Sequence, residues 1–166
     1  MIARAALLAM AVTWLAVPAH AQGMQFSPAP VAACVDQGGG YECIGAAAEA
    51  CMDATEGGYS TAVMNGCLEA EYEWWDADLN ARYRALQARA RSTDTQPPID
   101  GLGQRPSESD ALRDMQRAWI AFRDASCSYA ALQWFGGTGA STAYLACLMR
   151  MTGEQALVLR GHLQEG

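Results

Sequence analysis

The sequence predicts an all-α fold: a disulfide-stapled helical bundle built on two long antiparallel helices with shorter flanking helices. Three observations lead there. Apolar residues recur at steps of three and four over two long stretches. No stretch alternates convincingly between apolar and polar residues, as a half-buried strand would. Six cysteines, Cys34, Cys43, Cys51, Cys67, Cys127 and Cys147, form an even set that reads as three disulfides in an oxidising compartment.

The amino end supplies that compartment. Arg4 precedes an apolar run from Ala5 to Val17, interrupted by Thr13, and Pro18 and the small-x-small triplet Ala19-His20-Ala21 follow. Residues 1–21 therefore read as a secretory signal peptide cleaved after Ala21. The run is short for a bilayer span, which takes about 20 apolar residues, and Gln22 rather than cysteine follows the cleavage point, so no stable membrane or lipid anchor is expected. The expected location is periplasmic or secreted.

The mature chain then divides into an irregular lead-in over residues 22–40 and a helical domain over 41–166. The lead-in holds Pro28, Pro30 and Gly38-Gly39-Gly40, with room for a short helix around Val31 to Val35. Residues 42–53 read as a short helix that stops near Gly57-Gly58. A long helix follows from about Ser60 to Arg91, capped by Ser60 or Thr61. Its apolar seam is Leu68, Tyr72, Trp75, Leu79, Tyr83, Leu86 and Ala90, flanked by Val63, Cys67, Ala70 and Trp74. At roughly 45 Å it invites a break, and Gly66 and Asn80 are the weak points. Residues 92–106, with two adjacent prolines and two glycines, form a loop.

The next helix opens at Ser107 or Ser109, with Asp110 placed for a capping box. It runs to about Phe135 on the stripe Leu112, Met115, Trp119, Phe122 and Tyr129, until Gly136-Gly137-Thr138-Gly139 breaks it. After a cap at Ser141 a further helix carries Tyr144, Leu145, Cys147 and Leu148. Either a new helix begins at Thr152-x-x-Gln155 or one helix continues through Gly153.

Spacing favours pairing neighbouring cysteines: Cys34 with Cys43, Cys51 with Cys67 and Cys127 with Cys147. A crosslink between the 51–67 and 127–147 regions is the rival. A set of free thiols is the other alternative. No CxxC spacing exists for a metal or a c-type haem, and neither metal nor cofactor is expected.

Charge is segregated. Residues 22–80 carry ten Asp or Glu and no Arg or Lys, whereas residues 81–166 carry ten Arg against eight Asp or Glu. An acidic half disfavours nucleic acid and anionic lipid and suits a basic partner; it also serves solubility alone. Catalysis finds little support. The only mature histidine is His162, so no Ser-His-Asp set exists, and the glycine turn at 136–139 lacks the lysine of a phosphate loop.

Three runs of residues then suggest a relationship. The first is Cys67-x3-Glu71-x3-Trp75-Asp76-x2-Leu79-Asn80-x2-Tyr83. The second is Gln116-x2-Trp119-x3-Arg123-Asp124-x2-Cys127, followed by Gly136-Gly137, Tyr144-x2-Cys147 and Thr152. Upstream stands Cys43-Ile44-Gly45-x-Ala47-Ala48-x2-Cys51. Together they resemble the lysozyme inhibitor LprI-like family, formerly a domain of unknown function, in a longer cysteine-rich form. The resemblance covers about residues 40–165 and implies an exported, mostly helical protein. One departure is Gln155, where the pattern suggests arginine and a salt bridge from the last helix.

Two groups of residues are candidates for a site. Asp76 and Asn80 lie four apart on one long helix, and Arg123 and Asp124 lie on the other; an Asp76–Arg123 pair across the interface would make them a structural polar core. The same cluster also reads as part of a binding surface. Glu69, Glu71, Glu73 and Asp78, with Asp76, crowd the middle of the long helix and are the candidate partner contacts. Such carboxylates suit Ca²⁺, glycosidase acid–base chemistry, a basic protein or plain solvation. The reading adopted is a non-catalytic exported binding protein whose partner is a basic protein such as lysozyme. A structural or stress-related envelope module and a hydrolase using paired carboxylates are the alternatives.

Overall fold

The computed structural model describes residues 23–97, 103 and 105–165. The expected signal peptide, its cleavage point and residues 98–102 and 104 of the loop lie outside the described residues. Among the described residues five α-helices follow in order, α1 (Ala29–Asp36), α2 (Ala46–Ala54), α3 (Thr61–Asp94), α4 (Glu108–Leu132) and α5 (Ala140–Gln164), with a 3-10 turn at Tyr41–Cys43 ahead of α2 and no strand. The all-α class expected from the sequence is the class adopted.

The long seam makes α3 a single helix of 34 residues, about 50 Å from end to end. Ser60 caps it, its hydroxyl accepting from the Val63 N–H at 3.4 Å. It passes through Gly66 and Asn80 without a break, because Leu68, Trp75, Leu79, Leu86 and Ala90 are buried along its whole length; tertiary packing outweighs local propensity. It also runs past Arg91 to Asp94, stopping just short of Pro97.

Helices α3 and α4 are antiparallel, as expected, but the most extensive packing of α3 is with α5. Those two run parallel. Asn65 near the start of α3 donates to Ser141 at 2.9 Å and accepts from Thr142 at 2.7 Å at the start of α5. At the far ends, Arg89 donates to the carbonyls of His162 and Leu163. A cation on the last carbonyls of a helix is where its dipole favours one.

The lead-in read as irregular belongs largely to the same core. Pro28 and Pro30 stand at the start of α1, where proline's missing N–H matters least. Val31 and Val35 are buried against the main cluster with Ala47, Leu68, Trp75 and Leu159. Arg160 of α5 donates to the Val35 carbonyl at 3.2 Å.

Helix α5 is continuous through Gly153, so no second helix begins at Thr152. A Cβ at position 153 would lie 2.9 Å from Ile44 Cδ1 and 3.1 Å from Trp75 Cε2. The glycine is a packing requirement, since α3 and the turn before α2 press directly on the α5 backbone.

The expected stripe of α4 divides. Leu112 and Trp119 pack on the core, partly buried, but Met115, Phe122 and Tyr129 are exposed. Only Gln116 and Cys127 of this helix are buried among the described residues. Met115, Phe122 and Tyr129, seven residues apart, line the flank of α4 rather than its inner face. The helix ends at Leu132, short of Phe135.

Three disulfides join Cys34–Cys43, Cys51–Cys67 and Cys127–Cys147, with Cα separations of 5.6, 5.7 and 5.3 Å. This is the neighbour pairing that spacing favoured, not the long crosslink, and Cys43, Cys51, Cys67 and Cys127 are essentially without solvent contact.

The α3–α4 connection is closed at its base by one carboxylate. Asp94 accepts from the backbone N–H groups of Glu108 at 2.7 Å and Ser109 at 3.1 Å and from the Ser107 hydroxyl at 3.0 Å. Ser107 caps α4 as well, accepting from the Asp110 N–H at 3.2 Å. The last residue of α3 thus serves as an anion at the amino end of α4, where the helix dipole favours it. The Ser109 side chain first, then the Glu108 and Ser109 amides and the Ser107 hydroxyl, outweigh partial burial and lower the Asp94 carboxyl from 3.8 to about 2. Because the folded value lies below the unfolded one, the contribution is complete above about pH 4 and fades as pH falls toward about 2. In melts at stepped pH, Asp94→Ala is expected to lower Tm at neutral pH, and its deficit relative to wild type is expected to shrink through that acid window. A constant deficit down to pH 2 would contradict the assignment.

Candidate functional site: the polar flank between α3 and α4

Glu71 is the first carboxylate to place, because the structure removes it from the surface. It is fully buried. Its Oε1 accepts from the Gly45 N–H at 2.6 Å and from the Trp75 indole N–H at 3.0 Å, and its Oε2 accepts from the Ala48 N–H at 2.6 Å. Gly45, at φ +102°, stands immediately before α2, a backbone conformation that favours glycine. Glu71 therefore caps the amino end of α2 from a neighbouring helix. The expectation that it contacts a partner is corrected: no face of its side chain is open to one.

The remaining acidic residues separate by helix face. Glu69, Glu73, Asp76 and Asn80 follow steps of four, three and four, which places them on one stripe of α3. Glu69 and Glu73 are exposed, and Asp76 and Asn80 are half-buried. Asp78 lies off this stripe and is held by Arg82 at 2.7 Å, so it is the acidic candidate already engaged within the chain.

The four residues Asp76, Asn80, Arg123 and Asp124 each bond within their own helix, with different partners from those expected. Asn80 donates to Asp76 at 2.8 Å. Arg123 bonds its sequence neighbour Asp124, with Nε at 2.9 Å and a terminal nitrogen at 2.8 Å from the same carboxylate oxygen. The expected Asp76–Arg123 pair does not form. The reason lies beside Arg123: its guanidinium stands over the Trp119 ring, 5.0 Å from the centroid. That position gains cation–π attraction and keeps the charge on α4.

Tyr72, one turn before Asp76 on α3, is partly buried against the core. Burial, with the fields of Asp76, Asp124 and Tyr144, raises its hydroxyl above the usual tyrosine range, against the opposing effect of Arg123. Glu69, Glu73 and Asp76 on α3 and Asp124 on α4 are the flank's carboxylates, and Asp124 is held by Arg123. Such a surface has the charge to suit cationic groups. Among the described residues no group of three or more His, Cys, Asp or Glu side chains is placed to hold a metal ion.

Behind the flank, Gln155 of α5 is buried and donates to Gln116 of α4 at 3.2 Å. Where the family pattern suggested an arginine and a salt bridge, two uncharged amides satisfy each other. Both glutamines were visible in the sequence motif, but nothing in one sequence indicated that they meet.

A family model described as Lysozyme inhibitor LprI matches residues 51–159. That span contains α3, α4, most of α5 and the two disulfides Cys51–Cys67 and Cys127–Cys147. An uncharacterized protein of Rhizobium meliloti (strain 1021) is 33% identical over 98 residues, which is 58% of this chain and 69% of that protein. An uncharacterized 17.7 kDa protein in the puhA 5' region of Rhodobacter capsulatus is 29% identical over 124 residues, 70% of this chain and 72% of that protein. No solved structure matches the chain.

The two roles of neighbouring glutamates are separable by measurement. Glu71→Ala leaves three donors in or near the core without their acceptor, at about 1–3 kcal/mol for each fully buried group, so a loss of roughly 3 kcal/mol or more is expected in urea unfolding. Glu69→Ala, on the exposed stripe, should stay within about 0.5 kcal/mol of wild type. Equal losses would overturn the distinction.

Proposed function

The chain belongs to the lysozyme inhibitor LprI family, and from that premise we propose that it is an exported, non-catalytic binding protein that takes a basic lysozyme as its partner. The observation that carries the reading is the match of the family model across α3 and α4, which carry the acidic flank, and most of α5.

Charge supports the same partner. The protein has a formal net charge of -7, and residues 22–80 contribute no positive side chain. A basic enzyme is drawn toward such a field before contact, and complementary charge raises association rates and sets orientation more than it adds raw affinity. Glu69, Glu73 and Asp76 on α3 and Asp124 on α4 are the groups that meet it. None of the four needs to move a proton, so the contact is stoichiometric binding rather than turnover.

The compartment follows from the cysteines. Three disulfides, largely enclosed in the core, suit a chain that folds outside the reducing cytosol. No helix among the described residues is long and apolar enough to cross a membrane.

Titration against a panel of c-, g- and i-type lysozymes tests the reading, with cell-wall lysis and direct binding measured in parallel at low salt. Stoichiometric inhibition of at least one class is expected. Glu69→Lys/Glu73→Lys should slow association on the order of tenfold and flatten its salt dependence, while Tm stays near that of wild type. Absence of binding and inhibition across the panel would refute the reading and favour a structural envelope role.

A further inference from the structure

The α4–α5 turn carries a feature that the acidic flank does not explain. Between Asp124 and Arg150 the chain has no Asp, Glu, Lys, Arg or His at all. That stretch covers the end of α4, the turn and the first part of α5, in a protein whose net charge is -7. Its outer residues are large and apolar. Phe135 is 91% exposed and Trp134 55%, with Tyr129 and Leu132 exposed beside them. Four such side chains in water, within seven residues of sequence, form a patch of the kind that marks an interaction site.

The patch is also held in place. The Trp134 N–H bonds the Ala131 carbonyl at 3.0 Å, the Phe135 N–H that of Leu132 at 3.1 Å and the Gly137 N–H that of Trp134 at 2.9 Å. The Trp134 ring lies against Gly139, where an added Cβ would come within 2.4 Å of Cε3. The Cys127–Cys147 disulfide clamps the two helices behind the turn, with Cα atoms 5.3 Å apart. Aromatic side chains on an ordered scaffold lose little freedom on binding and supply most of the affinity of many interfaces.

We propose that this charge-free aromatic tip is the part of the protein that enters the glycan-binding cleft of a lysozyme, with Trp134 and Phe135 as its anchors. The proposal rests on the lysozyme reading above and adds to it where the enzyme is blocked. Charge decides between the two surfaces. A lysozyme cleaves its substrate between two carboxyl groups, so an acidic segment pushed into that cleft would meet like charge. The flank with Glu69 and Glu73 suits the basic exterior of such an enzyme but not its carboxylate-bearing cleft. The tip brings no carboxylate and offers flat apolar rings, which suit a cleft shaped for uncharged sugar rings. Approach is thus steered by the acidic body, and residence is set by the tip.

The test uses the full mature protein, a c-type lysozyme that the wild type binds, and tri-N-acetylglucosamine as a probe of the cleft. Trp134→Ala/Phe135→Ala is expected to weaken binding a hundredfold or more, mainly through faster dissociation, with an unchanged circular dichroism spectrum. Phe135→Glu should weaken it further than Phe135→Ala, because it introduces a charge facing the cleft carboxylates. The trisaccharide should compete, raising the apparent Kd in proportion to its concentration. Three results would each overturn the proposal while leaving lysozyme binding intact: tip variants that bind like wild type, simultaneous binding of trisaccharide and protein, or a wild-type dimer that the double variant splits without loss of lysozyme affinity. Failure of the wild type to bind any lysozyme would remove both this proposal and the reading beneath it.

Discussion

The amino-terminal half of this protein is organised around one buried carboxylate. Glu71 projects from α3 into the space under α2 and accepts from Gly45, Ala48 and the Trp75 indole. The two backbone donors fix where α2 begins, and the indole fixes the orientation of Trp75, the largest fully buried side chain. Trp75 then fills the space that Gly153 leaves on α5. A single acidic group therefore sets the relative position of α2, α3 and α5. Polar groups removed from water must find partners inside the protein, and here two are supplied across helices by the start of α2 and one from within α3 by the Trp75 indole.

Much of this arrangement was legible in the sequence, and the exceptions have physical causes. The seam of α3 was readable because Leu68, Trp75, Leu79 and Leu86 repeat at helical spacing and are in fact buried. The caps at Ser60 and Ser107 were readable because a small hydroxyl before an apolar run has few other uses. Glu71 was misread as surface because periodicity reports which face a residue is on, and position 71 lies on the buried face between Leu68 and Trp75. Its polarity, not its phase, suggested exposure. Asp94 was missed for the opposite reason: it looked like loop, and its partners lie more than a dozen residues away across the connection. On α4 the apolar residues were counted as core although the helix is narrowly seated. Met115, Phe122 and Tyr129 were assigned inward by residue type, while Gln116, a polar residue, took the buried place.

The candidate site was legible as a composition but not as a set of contacts. One sequence indicated the polar residues Asp76 and Asn80 on one long helix and Arg123 and Asp124 on the other, and each pair bonds within its own helix. It did not indicate that Arg123 would stay on its own helix, held by Asp124 and stacked on Trp119. The consequence is a division of labour across the surface. The α3 stripe keeps carboxylates exposed on one flank, while the end of the α4–α5 hairpin is free of ionised side chains. Exposed carboxylates and exposed aromatic rings thereby occupy different regions of one small protein.

The order of the bridges along the chain has its own consequence. The pairs span 9, 16 and 20 residues and follow one another without overlap. In a chain threaded amino end first into an oxidising space, each thiol meets its proper mate before the next pair has emerged. Pairing by order of arrival thus produces the native linkage directly. A protein wired in this way asks little of the shuffling enzymes that correct scrambled sulfurs, and it can be secured from front to back while its last helix is still being delivered.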